Sequence, residues 1–404
     1  VAGGGVVELV SAVLPTDATP PETAPLSGTL IAVFALACGI AVGSLYYSQP
    51  LLDALGREFD VGTVATSLIV TVTQLGYAAG LILIVPLGDL VENRRLVLSI
   101  FAATVVVLAC VAASRSYSAF LAGSVAIGFT AVVAQVLVPL ASHLAAPEKR
   151  GEVVGRVVSG LLIGILVARA FAGVVAGEFG WRAVYVIAAA LLGLMTIVLA
   201  RMLPRREGTF TGGYGALLGS LLRIYRTEPL LRRRAAYQFA MFGAFSIFWT
   251  AITFLLSSPA YGLTQTQIGL FALAGATGAL IAPVAGRLGD RGYGRMATGI
   301  AFAFCAAAFI LTLVHGIAML VAAAILLDLA VQSTLVIGQQ AIYTLRPEER
   351  SRLNTLYIAT FFVGGAAGSA LAGLAYASSG WRGIVALGAA LPCAAFVFWL
   401  SDRN

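Results

Sequence analysis

Two charged residues stand far from any loop. Arg169 lies inside the apolar run 153–177, and Asp328 inside the apolar run 317–342. A charge at the centre of a hydrophobic helix costs about 2.5–3.5 kcal/mol on insertion scales, so such residues face a bundle interior or water and mark ion or substrate paths. At a rise of about 1.5 Å per residue, Arg169 falls slightly outside the membrane midplane and Asp328 close to it. That placement lets the two face each other across a central cavity. The chemistry open to them is proton exchange at Asp328, with Arg169 either tuning the carboxyl or binding an anionic group of a substrate. A fixed structural ion pair, or separate satisfied partners for each, is the other reading of the same residues.

The elements that position these charges are duplicated. Pro147-Glu148-Lys149-Arg150 and Gly180-Trp181-Arg182 frame a run that returns 200 positions later between Pro347-Glu348-Glu349-Arg350 and Gly380-Trp381-Arg382. Gly164 aligns with Gly364, Gly173 with Gly373, and Gly88-Asp89 with Gly289-Asp290 to within one residue. A repeat this long divides the chain into two similar halves rather than into solenoid units. The copies part company at Arg169, whose counterpart is Ser369.

Composition sets the solvent. The 404 residues are 60% hydrophobic and 11% charged, with a mean hydropathy of +0.96. A bilayer core about 30 Å thick takes about 20 apolar residues per helix, and runs of that kind recur along the chain without strand-like alternation. The expectation is an all-α membrane protein of twelve transmembrane helices in two pseudo-symmetric six-helix bundles. The spans fall near 28–50, 64–88, 96–113, 119–142, 153–177, 184–203, 235–257, 266–288, 296–314, 317–342, 354–377 and 384–401. The domain organisation that follows is a flexible tail over 1–27, one bundle over 28–203, a cytoplasmic linker with an amphipathic helix over 204–234, and a second bundle over 235–404.

Basic residues orient the array. Arg94, Arg95, Arg150, Arg287, Arg295 and Arg350 crowd one side with the linker arginines, against Arg57, Arg115, Arg182 and Arg382 on the other. By the positive-inside rule both termini are cytoplasmic, and Trp181 and Trp381 belong at the outer interface. The formal charge of +7 is thereby explained by orientation rather than by nucleic acid. Cys38, Cys110, Cys305 and Cys393 lie within apolar spans without a CxxC pair and read as packing residues. Neither His143 nor His315 has a ligand-like neighbour, so no metal and no cofactor is expected. The one lysine, Lys149, is not in a phosphate-binding loop, which excludes an ATP-driven pump. No paired acids or His-anchored nucleophile suggest an enzyme.

The loop Pro86-Leu87-Gly88-Asp89-Leu90-Val91-Glu92-Asn93-Arg94-Arg95 and its partner Gly286-Arg287-Leu288-Gly289-Asp290-Arg291-Gly292-Tyr293-Gly294-Arg295 are glycine-rich turns with an Asp followed by arginines. They resemble the signature loop of the major facilitator superfamily, and with twelve spans and two halves the resemblance covers nearly the whole chain. It implies a gating role for Asp89, Arg94, Asp290 and Arg291, through contacts that hold one face shut and break as the halves rock. Tyr46-Tyr47-Ser48-Gln49-Pro50-Leu51, Gly164-Ile165-Leu166-Val167-Ala168-Arg169 and Leu327-Asp328-Leu329-Ala330-Val331-Gln332 look like a bacterial arabinose-efflux or drug:proton antiporter branch. That implies proton-coupled export of small amphipathic organic molecules by a monomer in the bacterial cytoplasmic (inner) membrane. Import or facilitated passage of a polar metabolite is the alternative, and a non-transporting membrane receptor a lesser one.

In the family arrangement the first and fourth helices of each half face the centre. This nominates Tyr46, Tyr47 and Gln49 from the first span and Gln135 from the fourth. From the seventh come Phe245 and Trp249, with Phe248 and Thr253, and from the tenth Asp328, Gln332 and Gln339. Tyr357 joins them from the eleventh, with Asn354 and Thr360. Aromatic faces with sparse polar groups suit an amphipathic cargo.

Overall fold

The computed structural model describes residues 27–208, 210 and 212–401. The expected tail, apart from Ser27, and residues 402–404 with Arg403 lie outside the described residues.

Among the described residues, nine helices are long and apolar enough to cross a membrane. One of these, Arg350–Ser401, bends at Gly380, where φ is 59°, and so holds two crossings, α11 (350–379) and α12 (381–401). The others are α2 (Thr63–Leu83), α3 (Asn93–Ala112), α4 (Tyr117–Thr130, continued by Ala134–Leu144), α5 (Arg150–Phe179) and α6 (Trp181–Met202). In the second half they are α7 (Pro229–Ser257), α9 (Gly294–Leu311) and α10 (Ile317–Tyr343). Two interrupted crossings, α1 and α8, complete twelve.

Both interruptions matter for the site. α1 begins at an N-cap, where Ser27 Oγ accepts from Leu30 N at 3.2 Å, and runs Gly28–Gly43. It then tightens into hydrogen-bonded turns through Ser44–Ser48, where Leu45 N bonds to Val42 O and Tyr46 N to Gly43 O, in place of the α-helix expected over span 1. A 3-10 turn, Gln49–Leu51, and a short helix, Leu52–Glu58, finish the crossing. Pro50 lacks the N–H that a continued helix needs, and the break aims Gln49 inward. α8 starts at a capping box on Thr264 and Gln267, runs Gln265–Phe271, tightens to a 3-10 stretch over Ala272–Ile281, and resumes as Ala282–Asp290. The tight stretch carries Gly275 and Gly278, whose weak helix preference permits it.

Each half repeats one packing plan. α1 lies on α5 as α7 lies on α11, α2 on α4 as α8 on α10, and α3 on α6 as α9 on α12. Glycines set the closest approaches: a Cβ on Gly39 would come within 2.7 Å of Gly160 O. The halves meet along two seams, α2 against α11 and α5 against α8. Between them the linker forms an amphipathic helix, Tyr214–Thr227, that buries Leu217, Leu221 and Ile224 against the bundle.

Trp181 turns inward rather than lying at the lipid interface. It packs edge-on against Phe120 and Tyr185, with ring centroids 5.4 and 6.0 Å away, since a wide indole fills this end of the bundle better than a small side chain. Trp381 donates from Nε1 to Thr312 Oγ1 at 2.9 Å, whereas Trp181 Nε1 is buried without a partner. Cys38 and Cys305 are buried packing residues, whereas Cys110 and Cys393 are exposed on the bundle surface.

Candidate functional site

Arg169 and Asp328 are both buried, at 4% and 8% exposure, where α1, α5, α7, α8 and α10 converge. They do not form an ion pair. Arg169 Nε donates to Gln49 Oε1 at 2.8 Å, and Trp249 Nε1 donates to Asp328 Oδ1 at 3.0 Å. The guanidinium carbon lies 4.5 Å from the Trp249 ring centroid, 4.8 Å from Tyr46 and 5.6 Å from Phe245. Instead of facing each other across an open cavity, the two charges share an indole that touches both, stacked against the cation and hydrogen-bonded to the carboxylate. Cation–π contacts of this kind are worth about 2 kcal/mol each when desolvated, which helps to hold a cation away from water.

Asp328 is roofed by α8. A Cβ on Gly275 would lie 2.5 Å from Asp328 Oδ2 and 3.0 Å from Trp249 Cζ2, and one on Gly278 would lie 3.1 Å from Asp328 Cβ. Arg169 Nη2 is buried with no hydrogen-bond partner. Beside it, a cavity of about 10 Å³ is lined by Gln49, Arg169, Trp249, Thr253 and Phe271, so the side chains must part before any organic molecule enters. On the side away from the linker the halves lock directly. Thr253 Oγ1 donates to Gln49 O at 3.0 Å, Gln265 Nε2 donates to Pro50 O, and a Cβ on Gly173 would lie 2.5 Å from Gly269 Cα.

Other nominated residues lie elsewhere. Tyr47 points into the first half, against Phe171 and Tyr185 at 5.7 and 6.3 Å. Adjacent residues thus serve opposite faces, Tyr46 the charge and Tyr47 the bundle core. Tyr357 is fully buried between α10 and α11. Its hydroxyl donates to Thr334 O at 3.4 Å and Leu335 O at 3.5 Å, because Gly338 opposite it leaves room for the ring. Gln135 and Gln339 belong to a second polar node, toward the helix ends on the linker side. Gln339 Nε2 donates to Asn354 Oδ1 at 3.0 Å and Tyr343 hydroxyl to the same oxygen at 2.9 Å. Asn354 Nδ2 in turn reaches Gln135 Oε1 across the halves at 3.5 Å. Gln332 is half-buried one turn of α10 beyond Asp328.

The two loops of the repeat differ. Asp89 lines a cleft of about 60 Å³ with Gln135, His143, Arg206 and Ser351, the last in the first turn of α11. Its backbone carbonyl accepts from Phe210 N of the linker at 2.9 Å. Asp290 instead accepts from Gln340 Nε2 of its own half at 3.2 Å. Arg94 donates to Ala200 O at the end of α6, within its own half, where helix carbonyls lack partners. Arg291 is exposed. The four gating residues therefore do not form one joined set; only Asp89 faces the opposite half.

Three contributors escaped the sequence reading. Gln74 Nε2 of α2 donates to Ser246 Oγ of α7 at 2.8 Å, and its signal was present, an amide alone in an apolar span. Gly275 and Gly278 were visible only as small residues until Asp328 was seen against them. Among the described residues no cluster of three or more His, Cys, Asp or Glu side chains could hold a metal ion.

Comparison with known proteins agrees with the fold. The sequence profile of the Major Facilitator Superfamily matches residues 29–295 and 235–404. An uncharacterized transporter, YgaY, of Escherichia coli is 40% identical over 383 residues, covering 93% of this chain and 95% of that protein. A probable transporter of Streptomyces coelicolor is 36% identical over 365 residues, covering 89% of this chain and 84% of that one. Among solved structures, an inward-facing bacterial homologue of the human lysosomal transporter Spinster superposes with a TM-score of 0.75 at 15% identity, covering 93% and 98% of the two chains. With a duplicated twelve-helix body and relatives matched almost end to end, this chain belongs to the major facilitator superfamily and is a multi-pass membrane transporter, not an enzyme.

Proposed function

We propose that this transporter couples proton movement to the passage of a small amphipathic organic molecule by alternating access, the bundles 28–203 and 235–404 rocking about a site near the midplane. One observation carries the reading. A carboxylate and a guanidinium lie buried where the halves meet, unpaired with each other and bridged by Trp249. A structural ion pair would close on itself, whereas a carboxylate held by one neutral donor can take up and release a proton at low cost to its surroundings. In this reading Asp328 is the protonation site and Arg169 its electrostatic partner. Tyr46, Gln49, Phe245 and Trp249 contact cargo. Gln332 extends the lining toward Gln135 and Gln339, and Asp89 gates the cytoplasmic cleft.

Export across a bacterial inner membrane, by a monomer with cytoplasmic termini, follows the resemblance of the Tyr46–Leu51 and Leu327–Gln332 stretches to efflux permeases. Inward movement is the second reading. The unpartnered Arg169 Nη2 favours it, because an anion and a proton can occupy such a pair together. The test is Asp328→Asn in everted vesicles with an acidified lumen. Wild-type vesicles of an exporter accumulate cargo under that gradient and the variant does not. Full proton coupling in the variant removes Asp328 from the path.

A further inference from the structure

We infer that the cargo is an organic monoanion with a flat apolar body, and that its carboxylate seats on the Arg169 guanidinium. The inference rests on the proposed site between the halves but not on a direction of transport.

The argument starts from what each charge has left to offer. A guanidinium carries five N–H donors in a planar fork and accepts nothing. Nε is committed to Gln49 Oε1 at 2.8 Å, and Nη2 is buried without a partner. Three ring faces surround the group, but a ring face does not replace a hydrogen-bond acceptor. A buried, charged donor left unsatisfied is costly, and a carboxylate answers a fork of this shape with two parallel bonds. The cavity beside the guanidinium, lined also by Gln49 and Trp249, marks where that carboxylate enters once the seams part.

The carboxylate side of the site does not offer the mirror-image role. Asp328 Oδ1 is bonded to Trp249, and Gly275 and Gly278 lie so close over the rest of the group that even a methyl there would collide with it. A proton can reach such an oxygen, whereas an ammonium head with its carbon substituents cannot without displacing α8. The site therefore selects an anion for Arg169 and a proton for Asp328. The rings of Tyr46, Phe245 and Trp249 provide flat surfaces for the rest of the molecule.

The sign of the coupling follows. The charged or titratable groups facing Asp328 are Arg169 of α5 and Tyr46 of α1. α7 presents Trp249, and α8 presents Gly275 and Gly278. With Asp328 ionised the pair is neutral overall; with Asp328 protonated it is a net cation. An anion binds the second form better, so its affinity rises as pH falls, by at most about tenfold per pH unit for one linked proton. Anion binding and protonation of Asp328 then favour each other, whichever way the cargo moves.

The experiment uses the full chain purified in detergent, with melting temperature as readout and benzoate, benzyl alcohol and benzylamine as probes, at mildly acidic and mildly alkaline pH. Benzoate is expected to raise the melting temperature by several degrees at acid pH and less at alkaline pH. The neutral and cationic probes should leave it unchanged. Arg169→Gln abolishes the benzoate shift, and Arg169→Lys, which keeps the charge but not the fork, retains a weakened one. Asp328→Asn keeps the shift and loses its pH dependence. No benzoate shift in the wild-type protein, whose folding is not in question, overturns the inference. So does an undiminished shift in Arg169→Gln, or stabilisation by benzylamine in place of benzoate. An acid preference that survives in Asp328→Asn refutes the proton site and the coupling while leaving the anion seat standing, so the two failures are told apart.

Discussion

Arg169 and Ser369 occupy equivalent positions in the two copies of the repeat, each on a helix that faces the opposite half, and they do opposite things. Ser369 is fully buried in the α2–α11 seam. Its hydroxyl lies 2.9 Å from Thr71 Oγ1 and 3.0 Å from Ala366 O, and nearby Tyr77 packs at a tilt of 48° against Phe362 with centroids 4.3 Å apart. That seam is neutral, its hydroxyls are bonded, and among the described residues the one buried polar atom it leaves without a partner is an uncharged amide oxygen, Gln74 Oε1. The α5–α8 seam is held by the close approach of Gly173 to Gly269 at the end away from the linker, but at Arg169 it holds a cation with a free donor. Duplication supplied one scaffold, and in the proposed function divergence at one position makes one seam a bearing surface and the other a site. Charge in the membrane is expensive enough that it is kept where it does work.

The sharpest way to break this comparison is to exchange the residues. Ser369→Arg puts a cation into the tight seam with no carboxylate near it. Insertion alone costs about 2.5–3.5 kcal/mol, and overpacking adds about 1–3 kcal/mol. The expected outcome is failure to recover a monodisperse protein by size exclusion. Arg169→Ser removes a charge from the other seam, so that variant assembles at near wild-type yield and transports nothing. Equal yields for the two variants would mean that the seams are not different in kind. A smaller step is Gly275→Ala, whose new methyl must push on Asp328 Oδ2 and the Trp249 ring. Misplacing a reacting group by about 1 Å can cost on the order of a hundredfold in rate, so a loss of about tenfold or more in proton-coupled transport in vesicles is expected with the fold retained.

How much of this was legible in the sequence depends on the length scale of the signal. Twelve crossings, two halves and the linker helix follow from apolar runs and the repeat, because bilayer thickness fixes how many residues a crossing needs. Arg169 and Asp328 stood out because the cost of burying them is large wherever they sit. Their relation to each other was not legible. Whether two charges meet or share an indole depends on the rotation of five helices, and no periodicity carries that. Tyr46 and Tyr47 show the limit well: neighbours of one type in the tight turns before Pro50, one facing the cation and one facing Tyr185. Tyr357 looked like lining because it is polar in an apolar span, yet its hydroxyl is met by α10 carbonyls.

Thr71→Val probes the neutral seam with little violence. Both hydroxyls there also bond to backbone carbonyls, Thr71 to Ser67 O at 3.2 Å and Ser369 to Ala366 O at 3.0 Å. Removing their mutual contact should cost only about 0.6 kcal/mol, the average for side-chain hydrogen bonds between membrane helices. The melting temperature is then expected to fall slightly and transport to persist. A loss of transport in this variant would make the α2–α11 seam part of the mechanism rather than its bearing.

The smallest effect is expected at Arg346, an arginine held by two carboxylates. Arg346 donates from Nε to Glu228 Oε1 at 2.9 Å and from Nη1 to Glu349 Oε2 at 3.0 Å, and Glu349 also receives Arg352 at 3.2 Å. The Glu349 and Glu228 carboxylates hold Arg346 above its ordinary value. A raised cation contributes its stability below the unfolded-state value and loses it only as pH climbs through the folded one, far above any working pH. Salt rather than alkali is therefore the probe. The group is wet, its charges are screened, and exposed ion pairs of this kind contribute little. Arg346→Ala should leave transport unchanged and shift the melting temperature by about a degree at low salt and by less at high salt. If it instead disabled transport, the tie from the linker helix's end to the α10–α11 loop would be part of the moving machinery. The contrast with Arg169 would then have to rest on position alone: two carboxylates in water would matter as much as one amide in oil.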